Sequence, residues 1–133
     1  MDIQGQVHLK RGREASARRF HPWIFSGAVQ SVEGQPANGD WVGVSDAQGN
    51  VLGYGHYQKG TITVRLLSFL GMPPVKGLYR DKIRAALQQR VTAGVISLST
   101  NCYRLTHGEG DGLAGLIVDV YNGVAVIQPH SAG

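Results

Sequence analysis

From Asn38 onward the chain is punctuated by turn signals at intervals of roughly eight to twelve residues, a spacing that suits short strands. Asn38-Gly39-Asp40, Asp46-Ala47-Gln48-Gly49-Asn50 and Gln58-Lys59-Gly60 separate the runs 41–44, 51–57 and 61–67. Those runs are rich in the β-branched and aromatic residues that fit a pleated surface. They predict a small sandwich or a partly open barrel. Glycines inside them (Gly43, Gly53, Gly55) suit the bulges and bends that a small barrel needs. Ahead of them, Val7-His8-Leu9 reads as the start of a short strand. Residues 13–19 hold good helix formers, enough for about two turns. Pro22 ends that helix, because the residue before a proline is pushed out of the α region. Trp23-Ile24-Phe25 then opens an apolar segment that Ser26-Gly27 interrupts and Ala28-Val29 resumes. Trp23 and Phe25 are expected to fill the core, since aromatics beside aliphatics are usually packed.

Gly71-Met72-Pro73-Pro74-Val75 is the clearest boundary, a short stiff linker. Beyond it Tyr79, Ile83, Leu87 and Val91 recur at four-residue spacing with Ala86 alongside, which predicts one face of an amphipathic helix. Arg80, Lys82, Arg84 and Arg90 are expected on the other face, and Gly94 as the C-terminal cap. After the short strand Tyr103–Thr106 comes Gly110-x-Gly112-x-x-Gly115, which satisfies the letter of a dinucleotide-binding pattern. That pattern needs a helix behind it, because bound phosphates sit on a helix's free N–H groups. Leu116–Tyr121 is instead an apolar, β-branched run, followed by Asn122-Gly123 and a second run. Asn-Gly between two such runs is the strongest short-range hairpin signal. The glycines therefore open a hairpin, and a nucleotide site there is not expected. One helix and about three strands bury little apolar surface alone, since a hairpin is marginal in water. The chain is accordingly expected to be a piece of a longer protein whose second domain is incomplete.

Composition narrows the class. With 42% hydrophobic and 17% charged residues over 133 positions, the chain is globular and long enough for one domain or two small ones. No apolar stretch approaches the roughly 20 residues that span a bilayer, and no basic then apolar leader opens the chain. A single cysteine, Cys102, excludes an internal disulfide and suits a reducing cytoplasm. Beside a strand, Cys102 is expected to be a small buried hydrophobe. The net charge of +4 is uneven: Lys10, Arg11, Arg13, Arg18 and Arg19 face only Asp2 and Glu14 in the first nineteen residues. Such a cluster attracts polyanions, above all nucleic acid, by phosphate contact and counterion release. A merely solvated basic surface is the alternative.

Two segments taken together resemble a known family. Arg18-Arg19-Phe20-His21-Pro22-Trp23-Ile24-Phe25-Ser26, then Gly39-Asp40-x-Val42 through Gly53-Tyr54-Gly55-His56-Tyr57 to Ile62-x-Val64-Arg65-Leu66-Leu67, is similar to a PUA domain. It resembles the variety that begins the large S-adenosylmethionine-dependent 23S rRNA cytosine-C5 methyltransferases. Tyr103-Arg104-Leu105 with His107-Gly108-Glu109-Gly110-Asp111-Gly112-Leu113-x-Gly115-Leu116-Ile117-Val118-Asp119-x-Tyr121 resembles the signature of that family's middle domain. Ala114 departs from it, standing where a proline is usual. The resemblance runs from about Val7 to Gly133. It implies a mainly β or α+β fold: a PUA-like small β-barrel over 1–70, a linker over 71–76, and a partial strand–helix–hairpin domain over 77–133. It further implies that the Rossmann-type catalytic domain, with S-adenosylmethionine and the cysteine nucleophile, lies outside this stretch. No cofactor, metal or catalytic residue is therefore expected here, and Cys102 is not taken as the nucleophile.

The resemblance also implies structured RNA, in particular rRNA, as partner. RNA-binding PUA domains use a groove beside the first helix, which selects Arg11, Arg13, Arg18 and Arg19. Forked guanidinium donors suit phosphates. His21 is added for a base or phosphate, although His21-Pro22 could merely shape the helix exit. Lys59 at a turn tip and Arg65 within a strand complete the set, with a structural ion pair as the alternative for Arg65. Glu109 and Asp111 are two carboxylates on a glycine-rich loop, where acid–base or metal chemistry would place them. Two ligands make a poor metal site, so they are assigned to a domain interface or to substrate orientation, with plain turn structure as the alternative. The expected function is RNA binding for an rRNA methyltransferase, the chain itself transferring no methyl group. Its rival is a protein-interaction or scaffold barrel, and a homodimer is left open.

Overall fold

In the computed structural model of the chain, which describes residues 2–133, period-two burial organises the first sheet. Val7 and Leu9 of β1 (Ile3–Leu9), Val42 and Val44 of β4 (Trp41–Ser45), Leu52 of β5 (Val51–Tyr57), and Val64 and Leu66 of β6 (Ile62–Phe69) are buried together. Ile24 of β2 (Trp23–Phe25) and Ala17 of the helix α1 (Ala15–Arg18) join them. With β3 (Val29–Gly34), the strand order is β2-β6-β5-β4-β1-β3. Every neighbouring pair is antiparallel except β1 and β4. The sheet curls into a half-barrel with β2 and β3 as its edges, as the turn spacing predicts.

Three local expectations need correction. Trp23 and Phe25 do not fill the core: three consecutive strand residues cannot share one face, and Ile24 takes the inward position while Phe25 is 45% exposed. The first helix has one turn rather than two. Phe20, at a left-handed φ of 64°, closes it with a Schellman pair, its N–H donating to Ala17 O and that of His21 to Ser16 O. Val29–Gly34 is a full strand, hidden from pattern reading because most of its residues are exposed.

Gly55 shows why the strands carry glycines. A Cβ there would overlap the backbone of Arg65 and Leu66, where the β5–β6 register shifts. Gly55→Ala should lower stability by about 1–3 kcal/mol, read as a lower urea midpoint. An unchanged midpoint would mean that β6 yields without cost.

The chain divides into two units, one running through Lys76 and including Ala132–Gly133, the other Gly77–Ser131. In the second, α2 (Leu78–Thr92) lies on an antiparallel sheet β7-β8-β9, formed by Cys102–His107, Leu116–Tyr121 and Val124–Pro129. Asn122 (φ 47°) and Gly123 (φ 82°) make the two-residue turn between β8 and β9, the positive angles that Asn-Gly supplies. Gly94 (φ 75°) caps α2 in a second Schellman pair. The helix's inward face differs from the expected stripe. Tyr79, Ile83, Ala86 and Arg90 turn inward, whereas Leu87 and Val91 are exposed. Each four-residue step overshoots a full turn by roughly 40°, so a strict four-residue row winds off the buried side. Cys102 is exposed at the start of β7, not buried, its thiol within reach of Asn101 Oδ1.

Candidate nucleic-acid interface

The N-terminal cations are placed by a turn and a single helical turn. Lys10 and Arg11 leave β1 in a turn that Arg13 N–H closes onto Lys10 O at 3.1 Å. Arg18 ends α1 and Arg19 is its C-cap. Arg11, Arg13 and Arg19 are exposed, and no ion pair among the described residues engages them. Arg18 differs: one of its nitrogens donates to Asp46 Oδ2 at 2.8 Å. Asp46 is 1% exposed and also accepts from Gln48 N–H, Asn50 N–H and Asn50 Nδ2. The Asn50 side-chain bond leads the interactions that hold its carboxyl below the usual range; burial opposes them. Asp46 therefore shapes the β4–β5 turn and fixes Arg18 as a positioned, half-exposed cation. An open cleft of about 590 Å³ lies between Lys10, Arg11, Gln30, Gln48 and Gly49.

Beside that cleft His8 Nδ1 meets Ser45 Oγ at 2.8 Å, and His8 Nε2 lies 3.2 Å from Glu33 Oε1, outside hydrogen-bond geometry. Ser45 is buried and absent from the cleft wall. The row is a cross-strand contact rather than an activated nucleophile, which would need access to substrate.

His21, Lys59 and Arg65 form a different group. Trp23 of β2 and Arg65 of β6 are register partners, so their side chains share the outward face. His21 and Trp23 meet edge to face at 6.1 Å, and Trp23 meets Phe25 in the same way at 6.1 Å. Arg65 donates to Gln58 Oε1 at 3.1 Å; no carboxylate among the described residues pairs with it. Lys59 tips the β5–β6 turn, its N–H held by Asn38 Oδ1. Pattern reading missed Trp23 and Phe25 as surface groups. The missed signal was alternation, which allows only one of three neighbours to face inward.

Glu109 and Asp111 lie in the second unit, in a 3₁₀ turn over Gly108–Asp111. Asp111 receives both terminal nitrogens of Arg90 (2.5 and 2.8 Å) and His107 N–H (2.6 Å). Burial alone would raise its carboxyl; the Arg90 bonds and charge, with His107, outweigh that and hold it low. Glu109 Oε1 accepts Gly115 N–H at 3.2 Å. Arg104 and Asp119 form a second pair across β7 and β8 at 2.8 and 3.2 Å, which lowers Asp119 and raises Arg104. Both loop carboxylates thus carry bonds within the loop's own surroundings. No group of three or more His, Cys, Asp or Glu among the described residues is arranged for a metal. Nor does the loop offer a dinucleotide's phosphates the helix N-terminus they would need, because Gly115 runs into strand β8.

Residues 7–69 match the family described as PUA-like domain, and the half-barrel is a domain of that class. The whole chain is homologous to ribosomal RNA large subunit methyltransferase I proteins. It is 37% identical to that of Alteromonas mediterranea, covering 98% of this chain and 33% of the relative. It is 35% identical to that of Escherichia coli, covering 94% and 32%. The chain thus spans about a third of the length of these curated relatives. Among solved structures it resembles a candidate SAM-dependent methyltransferase from Streptococcus mutans, at a TM-score of 0.77 and 17% identity over 98% of this chain and 34% of that one. A candidate methyltransferase complexed with SAH matches at 0.75 and 18%, over 98% and 33%. These two likenesses concern the fold. No helix among the described residues is long and apolar enough to cross a membrane.

Proposed function

We propose that this chain is the RNA-holding part of a cytoplasmic S-adenosylmethionine-dependent rRNA (cytosine-C5) methyltransferase. The observation that carries the reading is a PUA-like unit with exposed Arg11, Arg13 and Arg19, which no ion pair among the described residues engages, beside the fixed Arg18, in a chain homologous to rRNA methyltransferases. Guanidinium groups so placed grip phosphates and recognise structured RNA by shape rather than by sequence. His21, Lys59 and Arg65 add a second contact region. Residues 77–131 are read as the unit that joins this barrel to a catalytic domain, with Glu109 and Asp111 shaping the joining loop. Methyl-donor binding and the nucleophile are assigned to no residue of this chain.

Binding of an rRNA fragment by the 133-residue chain should weaken linearly in log–log salt titration. Arg11→Ala, Arg13→Ala and Arg19→Ala together should reduce that slope by about 2–3. Arg18 is left intact, because removing it would strand buried Asp46. Salt-insensitive binding, or none, would overturn the reading in favour of a protein-contact scaffold.

A further inference from the structure

We propose that the outer face of β2 is a stacking platform for an unpaired RNA base, with Phe25 as the stacking ring and Lys59 and Arg65 as the adjacent phosphate contacts. The inference rests on the RNA-binding reading and adds to it the kind of nucleotide that is bound.

Four observations converge on this face. First, alternation along β2 turns Trp23 and Phe25 outward together, and His21 extends the row, each ring edge to face with the next. A lone exposed aromatic is ordinary; a row of three rings ending in a 45% exposed Phe25 is a surface. Second, β2 is an edge strand whose sole strand partner among the described residues is β6, so no described strand pairs with its other side. Third, the cations stand beside the rings. Arg65 is the register partner of Trp23, and Arg65 and Lys59 line a cavity of about 230 Å³ with Gln58, Gly60, Thr61 and Ile62, none of them acidic. That volume is below the roughly 300 Å³ at which small-molecule pockets begin, and it suits a phosphate or ribose. Fourth, the entry to β2 is held at a cost. Phe20 takes a left-handed φ of 64° and packs edge-on against Phe69 at 5.5 Å. Non-glycine residues avoid that region, and the Schellman pair that closes α1 holds Phe20 there, so the chain enters β2 in one fixed direction.

Rings beside cations match the composition of single-strand binding sites, where bases stack on aromatic side chains and cations follow the backbone. A duplex cannot use such a platform, because its base faces are already stacked. The ligand is therefore an unpaired nucleotide in a loop, bulge or single strand. Stacking tolerates any base, since each has a π-face, so little sequence preference is expected.

The test compares a single-stranded oligouridylate with an RNA duplex of equal length. Phe25→Ala should weaken oligouridylate binding about tenfold, leave duplex binding unchanged, and leave the salt slope unchanged because no phosphate contact is lost. Phe25→Tyr should restore the affinity. Oligouridylate should also quench tryptophan fluorescence, and Trp23→Phe should remove most of that quenching while Trp41 remains. Salt-dependent RNA binding that Phe25→Ala does not weaken would overturn this inference alone. Absence of any RNA binding by the wild-type chain would overturn the RNA reading with it. Capture of an extended peptide along β2, lost in Phe25→Ala and without competition from oligouridylate, would overturn the platform in favour of strand addition.

Discussion

Asp111→Ala should melt the Gly77–Ser131 unit at a clearly lower temperature, with a loss of about 3–5 kcal/mol. The side chain of Asp111 is 4% exposed and meets Arg90 through both terminal guanidinium nitrogens. Its removal leaves the part-buried Arg90 with hydrogen bonds, among the described residues, only to the carbonyls Ala86 O and Arg104 O. It also frees His107 N–H, which Asp111 accepts. Breaking one partner is costlier than losing the pair, because the remaining charge stays desolvated. Arg90→Met with Asp111→Leu should therefore recover much of the loss. Amide exchange of β7 together with thermal melting measures both. A loss below about 1 kcal/mol for Asp111→Ala would place the pair with surface bridges.

The same carboxylate predicts the acid limb. Asp111, Asp119 and Asp46 all have folded-state values below the ordinary 3.8. Their contribution is complete above that unfolded value and disappears as pH falls through the lower folded values, where the folded state must take up the protons. Thermal midpoints should be flat above about pH 5 with respect to these groups and should fall below about pH 4. Asp111→Asn should make the fall shallower for the second unit, where Asp119 still contributes, and leave that of the first unchanged.

Leu66→Ala should cost about 2–5 kcal/mol, and Leu87→Ala almost nothing. Leu66 is buried in the half-barrel core between its β5 and β2 neighbours, so truncation removes transfer energy and leaves a cavity. Leu87 stands on the exposed side of α2. Urea melts of the two variants separate them. Equal losses would restore Leu87 to the helix's buried stripe, which its four-residue spacing suggested.

Much of the fold was legible in local chemistry. The turns at residues 38–40, 46–50 and 58–60 bound β4, β5 and β6 because glycine, asparagine and aspartate favour turn conformations that strands disfavour. Asn122-Gly123 declared its hairpin for the same reason, and Gly94 its helix cap. Each is a property of two or three neighbouring residues, so no distant contact was needed to read it. The family resemblance rested on the order of such residues and agrees with the PUA-like match over 7–69.

Local chemistry alone placed β4, β5 and β6 with the turns that bound them, announced α2 and a hairpin after them, and showed the N-terminal stretch to be basic. Long-range packing set which side of each element is buried and which charges are spent. Ile24 displaced Trp23 and Phe25 from the core, leaving an outward row of rings. Arg90 went inward to meet Asp111, and Arg18 was tied to Asp46 while no ion pair among the described residues engages Arg11, Arg13 or Arg19. The two kinds of interaction differ in range. Turn and capping preferences act within a few residues, whereas burial and ion pairing depend on partners 21 and 28 positions away, and only the folded chain brings those together.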